Sequence, residues 1–478
     1  MIPLTKKTIW SYGAGNLGYG LISQIMAIYL MFYATVVLGM SGTSVGLLVS
    51  IGIIWDALSD PIMGYLSDHT RSRRFGRRHL YMLMGGTGVA LLHFFLWNIS
   101  PELTDRTKWL LMAGFILTIK TAMTIYITPY TALAAEISED YTERTRVQAV
   151  KTIFFILGIF MAAAFGMAVF FRATEQYPVG QLNPMGYRNI SLFGSAFMLI
   201  STAFAYLGTS DRIQVLNARI LSNKSPGIKA FFTEMKEAFA NRDLRAVVLG
   251  YLSTNIASAL LSTLALHVFT FTFLMSNNDI ALIVGMQLMM SIISQPFWIH
   301  FSDRFEKKGA VIAGIVVTMV ASSYFVLCVL LRTAVQNNVL WLIPFSILAG
   351  FGTGGLFTLP QAMVADTVDS NTLTTGRRQE GVFYGILTLS YKLSQSIALM
   401  LLGFALDLLQ FDPALPEQLE STLIGLGLVM AVGSLLSFGV SYFFYQHYSL
   451  TKRRMYEIHD AIQQLVEKKR QSECLDNE

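Results

Sequence analysis

Twelve stretches of the chain are predominantly apolar over about 20 residues or more, the length an α-helix needs to cross the hydrocarbon core of a bilayer. Their cores run over 9–38, 43–66, 80–100, 109–134, 151–171, 190–209, 246–275, 280–302, 310–332, 340–365, 381–410 and 421–445. The longest polar interruption, 210–245, follows the sixth run and splits the chain six plus six. The pattern predicts an all-α membrane protein with two six-helix halves, 1–209 and 246–445, joined by a middle loop (210–245) and followed by a tail (446–478). Within the loop, Pro226 is followed by Ile228, Phe231, Phe232, Met235 and Phe239 among Lys229, Lys236 and Arg242. That spacing suits an amphipathic helix lying at the membrane surface. The tail from Lys452 also reads as a helix, with Ile458, Ile462 and Leu465 on one side.

Composition agrees with a lipid solvent. Hydrophobic residues make up 53% and charged residues 14%, too few charges to cover a water-soluble surface. No cleavable signal peptide is expected, because the first apolar run follows Lys6 and Lys7 and is too long for one. Two cysteines, Cys328 and Cys474, cannot build a disulfide framework or a metal cluster. With both ends on the cytoplasmic side, 27 of the 35 Lys and Arg fall in cytoplasmic segments and 5 on the opposite side. The positive-inside rule therefore places both termini in the cytoplasm of a multi-pass protein of the inner (plasma) membrane. The net charge of +5 is a topology signal, and no nucleic-acid partner is implied. The expected partners are the bilayer and a small-molecule substrate, with the chain acting as a monomer.

An internal repeat sharpens the picture. Asp60-Pro61 and Ser67-Asp68 match Gln295-Pro296 and Ser302-Asp303 at a constant offset of 235 residues, and basic residues follow each aspartate. Two parallel six-helix repeats with a site between them is the architecture of a rocking transporter. Two glycine patterns, Gly13-Ala14-Gly15-Asn16-Leu17-Gly18 and Gly350-Phe351-Gly352-Thr353-Gly354-Gly355, lie inside apolar runs. There glycines serve close helix packing, since a dinucleotide fingerprint needs a preceding strand. No hydrolase triad, zinc spacing or P-loop is present, so neither a metal cofactor nor any other is expected.

Ionisable residues inside the membrane cost about 2.5–3.5 kcal/mol each at a helix centre and are kept when paired or functional. Four stand out: Asp56, Asp60, Lys120 and Lys392. Asp56 and Asp60 are one helical turn apart, so their carboxylates share a face. Like charges that close call for a cation between them, and hard oxygen ligands suit Na⁺ or H⁺ as coupling ion. The repeat places Ser291 and Gln295 at the equivalent positions, so the fold itself does not require the acids. A second group, Asp68, Arg77, Arg78, Glu136, Arg144 and, in the second repeat, Asp303 and Arg304, reads as a salt-bridge latch at the cytoplasmic edge, a gate closing one access state.

The run Trp55-Asp56-Ala57-Leu58-Ser59-Asp60-Pro61-Ile62-Met63-Gly64 resembles the glycoside–pentoside–hexuronide cation symporters of the major facilitator superfamily, the group of the melibiose permease. Pro129-Tyr130-Thr131-Ala132-Leu133, Glu143-Arg144-Thr145-Arg146, Ala365-Asp366-Thr367-Val368-Asp369 and Glu380-Gly381-Val382-Phe383 are similar too. The vertebrate lysolipid symporters share much of the pattern. The resemblance implies the major facilitator fold and a cation site at Asp56, Ser59, Asp60 and Thr124. It implies a substrate site at Asn16, Ile127, Thr131, Lys151 and Lys392, and Lys120, which departs from those relatives, is placed with them for its charge at mid-membrane depth. The acids that grip sugar hydroxyls in those relatives are replaced here by Asn16 and Ile127, and a stacking tryptophan by Thr131. Lys120 is an added charge, read either as a tethered substitute for the cation between the aspartates or as an anchor for an anionic substrate group.

The expected function is cation-coupled symport by alternating access, the substrate a sugar, glycoside or hexuronide, with an anionic one favoured by the charge pattern. The alternative within transport is a lysophospholipid or other amphiphile, and from another class a non-transporting sensor that kept the fold. No nucleophile–base pair points to a membrane-embedded enzyme.

Overall fold

The computed structural model describes residues 4–70, 72, 75–76, 78–137, 141–213, 228–375, 379–412, 418–458, 460, 461 and 464. All regular elements among these residues are helical. They are α1 (Lys6–Phe32), α2 (Gly42–His69), α3 (His79–Leu96), α4 (Asp105–Ile137), α5 (Tyr141–Phe160), α6 (Pro184–Thr209), α7 (Ile228–Phe239), α8 (Arg242–Thr263), α9 (Asn277–Ile293), α10 (Gln295–Leu330), α11 (Ile343–Thr375), α12 (Glu380–Leu408) and α13 (Glu420–Gln446), with a few shorter turns between. Local chemistry starts several of them. Thr5 accepts from the Thr8 amide, Asn241 from those of Asp243 and Leu244, and Ser276 with Asp279 forms a reciprocal capping box.

Eleven helical segments among the described residues are long and apolar enough to span a bilayer. The eighth predicted crossing differs for a local reason. Pro296 has no N–H for the Ile292 carbonyl, so α9 stops at Ile293 and α10 begins at Gln295, although Ser294 between them keeps helical dihedrals (φ −74°, ψ −17°). The eighth crossing is thus α9 plus the start of α10. The chain turns at Phe305 and Glu306, the latter at φ 65°, and the rest of α10 is the ninth crossing. Twelve crossings result among the described residues. The middle loop contributes α7, which packs on the beginnings of α12 and α8. In the tail, 452–458 are helical, and the remainder of the helix expected there lies outside the described residues.

The repeat extends into backbone geometry. α1 runs on into a π-helical turn at Tyr33–Val37, and α8 passes through Ala265–His267 into a π-helical turn at Val268–Thr272. The two turns are 235 residues apart, and so are their closing bonds: Met40 N to Ala34 O and Met275 N to Phe269 O, at 3.0 and 2.9 Å. The N-caps that follow, Ser41 and Ser276, obey the same offset.

Within the first half α1 packs on α5 and α6, and α3 and α2 on α4; within the second α8 packs on α12 and α13, and α11 on α9 and α10. The glycines of the first pattern serve this packing. A Cβ on Gly18 would lie 2.6 Å from Met198 Cα of α6. Between the halves, α2 lies along α12, the helical continuation of α5 over Met161–Phe170 meets α9, and α1 touches α8. Cross-half hydrogen bonds among the described residues run from mid-membrane to the side opposite the termini: Ser50 Oγ to Ser396 O (2.8 Å), Thr35 Oγ1 with His267 Nε2 (3.2 Å), and Asp407 with Ser41, Gly42 and Thr43. Gly42 and Gly403 allow the closest approach there, since a Cβ on Gly403 would collide with the Gly42 carbonyl. The halves are therefore pinned together on the far side.

Candidate functional site

α2 and α4 run in the same direction side by side, so one register serves two successive turns. Thr124 Oγ1 donates to Asp56 Oδ1 (2.8 Å), and Thr128 Oγ1 donates to Asp60 Oδ1 (3.4 Å) at the same separation of 68 residues. Ser59 Oγ lies 3.1 Å from Thr124 Oγ1 and also bonds the Asp56 carbonyl (3.1 Å). The four residues expected at the cation site thus share one cluster. Thr128 joins it without having been expected. Its signal was legible, because Thr124 and Thr128 repeat the one-turn spacing of Asp56 and Asp60.

The cation between the carboxylates comes from the other half. Lys392 Nζ of α12 lies 2.8 Å from Asp56 Oδ2 and 2.5 Å from Asp60 Oδ2, with side-chain exposures of 15% for Lys392 and Asp56 and 31% for Asp60. Lys392, expected at the substrate, is the ammonium that bridges the pair. Lys120, read as a tethered substitute for the cation, does not hold that place. Its Cγ rests near Gly52 on α2, one turn before Asp56, and it makes no hydrogen bond or ion pair among the described residues. The geometric reason is that α4 side chains lean toward the N-terminal end of their helix, away from the acids, whereas Lys392 reaches across the seam between halves.

Three of the remaining expected substrate residues, Asn16, Thr131 and Lys151, form a second cluster between α1, α4 and α5. Asn16 is 5% exposed and donates from Nδ2 to the Lys151 carbonyl (3.2 Å), while its Oδ1 is buried without a partner. Lys151 Nζ bonds Thr131 Oγ1 (3.3 Å) and lies 5.6 Å from the Tyr130 ring centroid. Tyr130 is fixed by a reciprocal pair of bonds with Tyr12, each 2.6 Å. Ile127 packs against the apolar core. Lys151, like Lys120, has no carboxylate partner among the described residues.

At the terminus side, Arg78 is buried and donates from Nη1 to Ser67 Oγ (2.5 Å). Arg77 and the side chains of Asp68, Glu136 and Arg144 lie outside the described residues. In the second half, Asp303 and Arg304 join no ion pair among the described residues. Arg304 sits over the Phe305 ring at 5.5 Å and Asp303 offers its carbonyl to Lys452 (3.4 Å). The ion pair there joins Lys307 to both oxygens of Asp366 (2.7 Å each), and Tyr448 Oη donates to the same carboxylate (3.1 Å). The turn at Phe305–Glu306 separates Arg304 from the helix that carries Lys307, which is why the latch shifts along the sequence. It ties α10 to α11 within one half.

Two helical repeats meeting at a half-buried acid pair, with a basic side chain contributed across the seam, define a multi-pass membrane transporter of the major facilitator type. The chain belongs to the MFS/sugar transport protein family, whose model matches residues 11–452. It is 27% identical to an uncharacterised symporter of Synechocystis sp., over 85% of this chain and 86% of the relative. It is 24% identical to the sodium-dependent lysophosphatidylcholine symporter 1-A of Danio rerio (93% of this chain, 88% of the relative). The match to the sphingosine-1-phosphate transporter MFSD2B of Xenopus tropicalis is also 24% (89% and 84%). Among solved structures, a bacterial homologue of the lysosomal transporter Spinster, inward-facing and unoccupied, superposes with a TM-score of 0.68 at 14% identity, covering 95% of this chain and 99% of that one. The nucleoside transporter NupG superposes at 0.61, also at 14% identity, covering 94% and 100%.

Proposed function

We propose that the protein is a Na⁺-coupled symporter of an amphiphile with an anionic headgroup, of the lysophospholipid class, working by alternating access with both termini cytoplasmic. The observation that carries the reading is the charge balance at the seam. Asp56 and Asp60 contribute two negative charges, and Lys392 and Lys120 two positive ones, of which, among the described residues, Lys392 alone is paired. Adding Na⁺ to this neutral set leaves one excess positive charge, which costs several kcal/mol in a poorly hydrated site. A phosphate or carboxylate on the substrate removes the excess, so ion and substrate favour each other's binding. Na⁺ displaces the Lys392 ammonium from the carboxylates, the headgroup meets Lys120 and the freed Lys392, and the cross-half tie that Lys392 makes is released. Rocking of the halves follows from losing that tie.

The named relatives that take a lysophospholipid or sphingosine-1-phosphate support this class, and both substrates unite a phosphate with an alkyl chain. A hexuronide is the second reading. The family's description as sugar transporters favours it, and a uronate supplies the same negative charge. A neutral glycoside fits least, because Asn16 and Ile127 stand where sugar-gripping acids would be.

Uptake into proteoliposomes decides. Labelled lysophosphatidylglycerol, whose headgroup carries a net negative charge, is expected to accumulate under an inward Na⁺ gradient and to stop when the gradient collapses. In Lys120→Ala, substrate affinity falls while Na⁺ dependence persists. Accumulation of a neutral glycoside that ignores Lys120→Ala and Lys392→Ala would reject the proposal, and no gradient-driven uptake of any of these compounds would favour the sensor.

A further inference from the structure

The two seams between the halves are related by the repeat, and they end differently on the far side. In the α2–α12 seam, the N-terminus of α2 presents free amides and the positive end of the helix dipole. Asp407 answers it: Oδ1 accepts from Gly42 N (2.8 Å), and Oδ2 from Thr43 N (2.9 Å) and Ser41 Oγ (2.7 Å). The offset of 235 residues carries Gly42 to Asn277, at the N-terminus of α9, and carries Arg172, just beyond the helical continuation of α5 over Met161–Phe170, to Asp407. So the second seam has an arginine where the first has a carboxylate.

The carboxylate at the N-terminus of α9 comes from within the helix, from Asp279 in the capping box with Ser276, and none reaches it from across the seam. Instead of a closed seam there is a cavity of about 670 Å³, lined by Arg172, Gln181, Thr270, Asn277 and Asp279 together with other polar and apolar side chains. Arg172 is exposed, bonds the carbonyl of Ala168 on its own segment (3.3 Å), and has no ion pair among the described residues. Asp279 spends its Oδ2 on Ser276 N and Oγ (3.2 and 2.6 Å). The independent sign of a missing ligand is the set of buried polar atoms without partners. These are Nε2 and Oε1 of Gln181, Nδ2 of Asn277 and Oγ1 of Thr270, on residues 1%, 8% and 3% exposed. Buried groups of this kind are normally satisfied.

We propose that this far-side cavity between α5 and α9 is an anion site, holding a phosphate or carboxylate between Arg172 and the N-terminus of α9. Occupied, it completes the second seam as Asp407 completes the first, and it favours the state closed on the far side. The site lies away from Asp56, Asp60 and Lys120, so it does not depend on the transport reading.

The test uses the full chain with Cys328→Ser, Cys474→Ser and Val179→Cys, and follows maleimide labelling in detergent. Inorganic phosphate at about twice its Kd is expected to slow labelling about threefold relative to chloride at equal ionic strength. Arg172→Gln abolishes the protection, Arg172→Lys restores part of it, and Asp407→Asn leaves it in place. In nanodiscs without added phosphate, slow labelling with phosphatidylglycerol but not phosphatidylcholine would identify a lipid headgroup as the natural source, whereas equal rates in both lipids would point to a free anion. Equal labelling in phosphate and chloride, or protection that survives Arg172→Gln, would overturn the proposal.

Discussion

Asp60→Asn tests the ion site most directly. The substitution keeps the shape of the side chain and the bond from Thr128, but removes one of two carboxylates held by Lys392. A unit charge pair about 4 Å apart is worth about 4 kcal/mol at an effective dielectric constant of about 20. Asp60 is 31% exposed, so water screens part of this, and about 2–3 kcal/mol is the realistic loss for a bound Na⁺. That is about a hundredfold weaker binding. Asp56→Asn should cost more, because Asp56 is 15% exposed and also holds Thr124. The assay is equilibrium binding of ²²Na⁺ to purified protein, paired with gradient-driven uptake in proteoliposomes. Both mutants should remain monodisperse, with Tm lowered by a few degrees at most. Wild-type Na⁺ affinity and accumulation in both would refute the assignment of the acid pair as the coupling site.

Three further outcomes follow from the same geometry. Lys392→Met removes the competitor for the carboxylates, so Na⁺ affinity measured by ²²Na⁺ binding should rise while coupled uptake is lost; a fall in affinity would show that Lys392 helps to hold the ion. Gly403→Val forces a side chain into the Gly42 carbonyl, so the far-side seam should loosen, and a cysteine introduced at the buried Val45 should label at least several times faster from that side. Arg78→Glu breaks a buried bond to Ser67 and should depress uptake severalfold with substrate preference unchanged, as competition between two labelled substrates would reveal.

The apolar runs by themselves determined the number of crossings, because spanning a bilayer requires a continuous helix whose polar backbone is internally bonded. Pro296 and the turn at Phe305–Glu306 moved helix ends without changing that number. The cation cluster was also legible. Asp56 and Asp60 declare their shared face through one-turn spacing, and no lipid-facing position tolerates two carboxylates. Which ammonium serves them was decided only by the tertiary structure. Lys120 and Lys392 are both single charges in apolar helices, and the choice depends on the α2–α12 seam, whose approach is set by Gly42, Gly46 and Gly403 far from either lysine. The same holds for the latch in the second half, where one turn of the chain separates Arg304 from Lys307, and for Asp407, whose partner amides and hydroxyl lie 364–366 residues away. Periodicity reports which face of a helix is polar. It is silent about which helix of the other repeat that face will meet, because that depends on how the two six-helix halves dock.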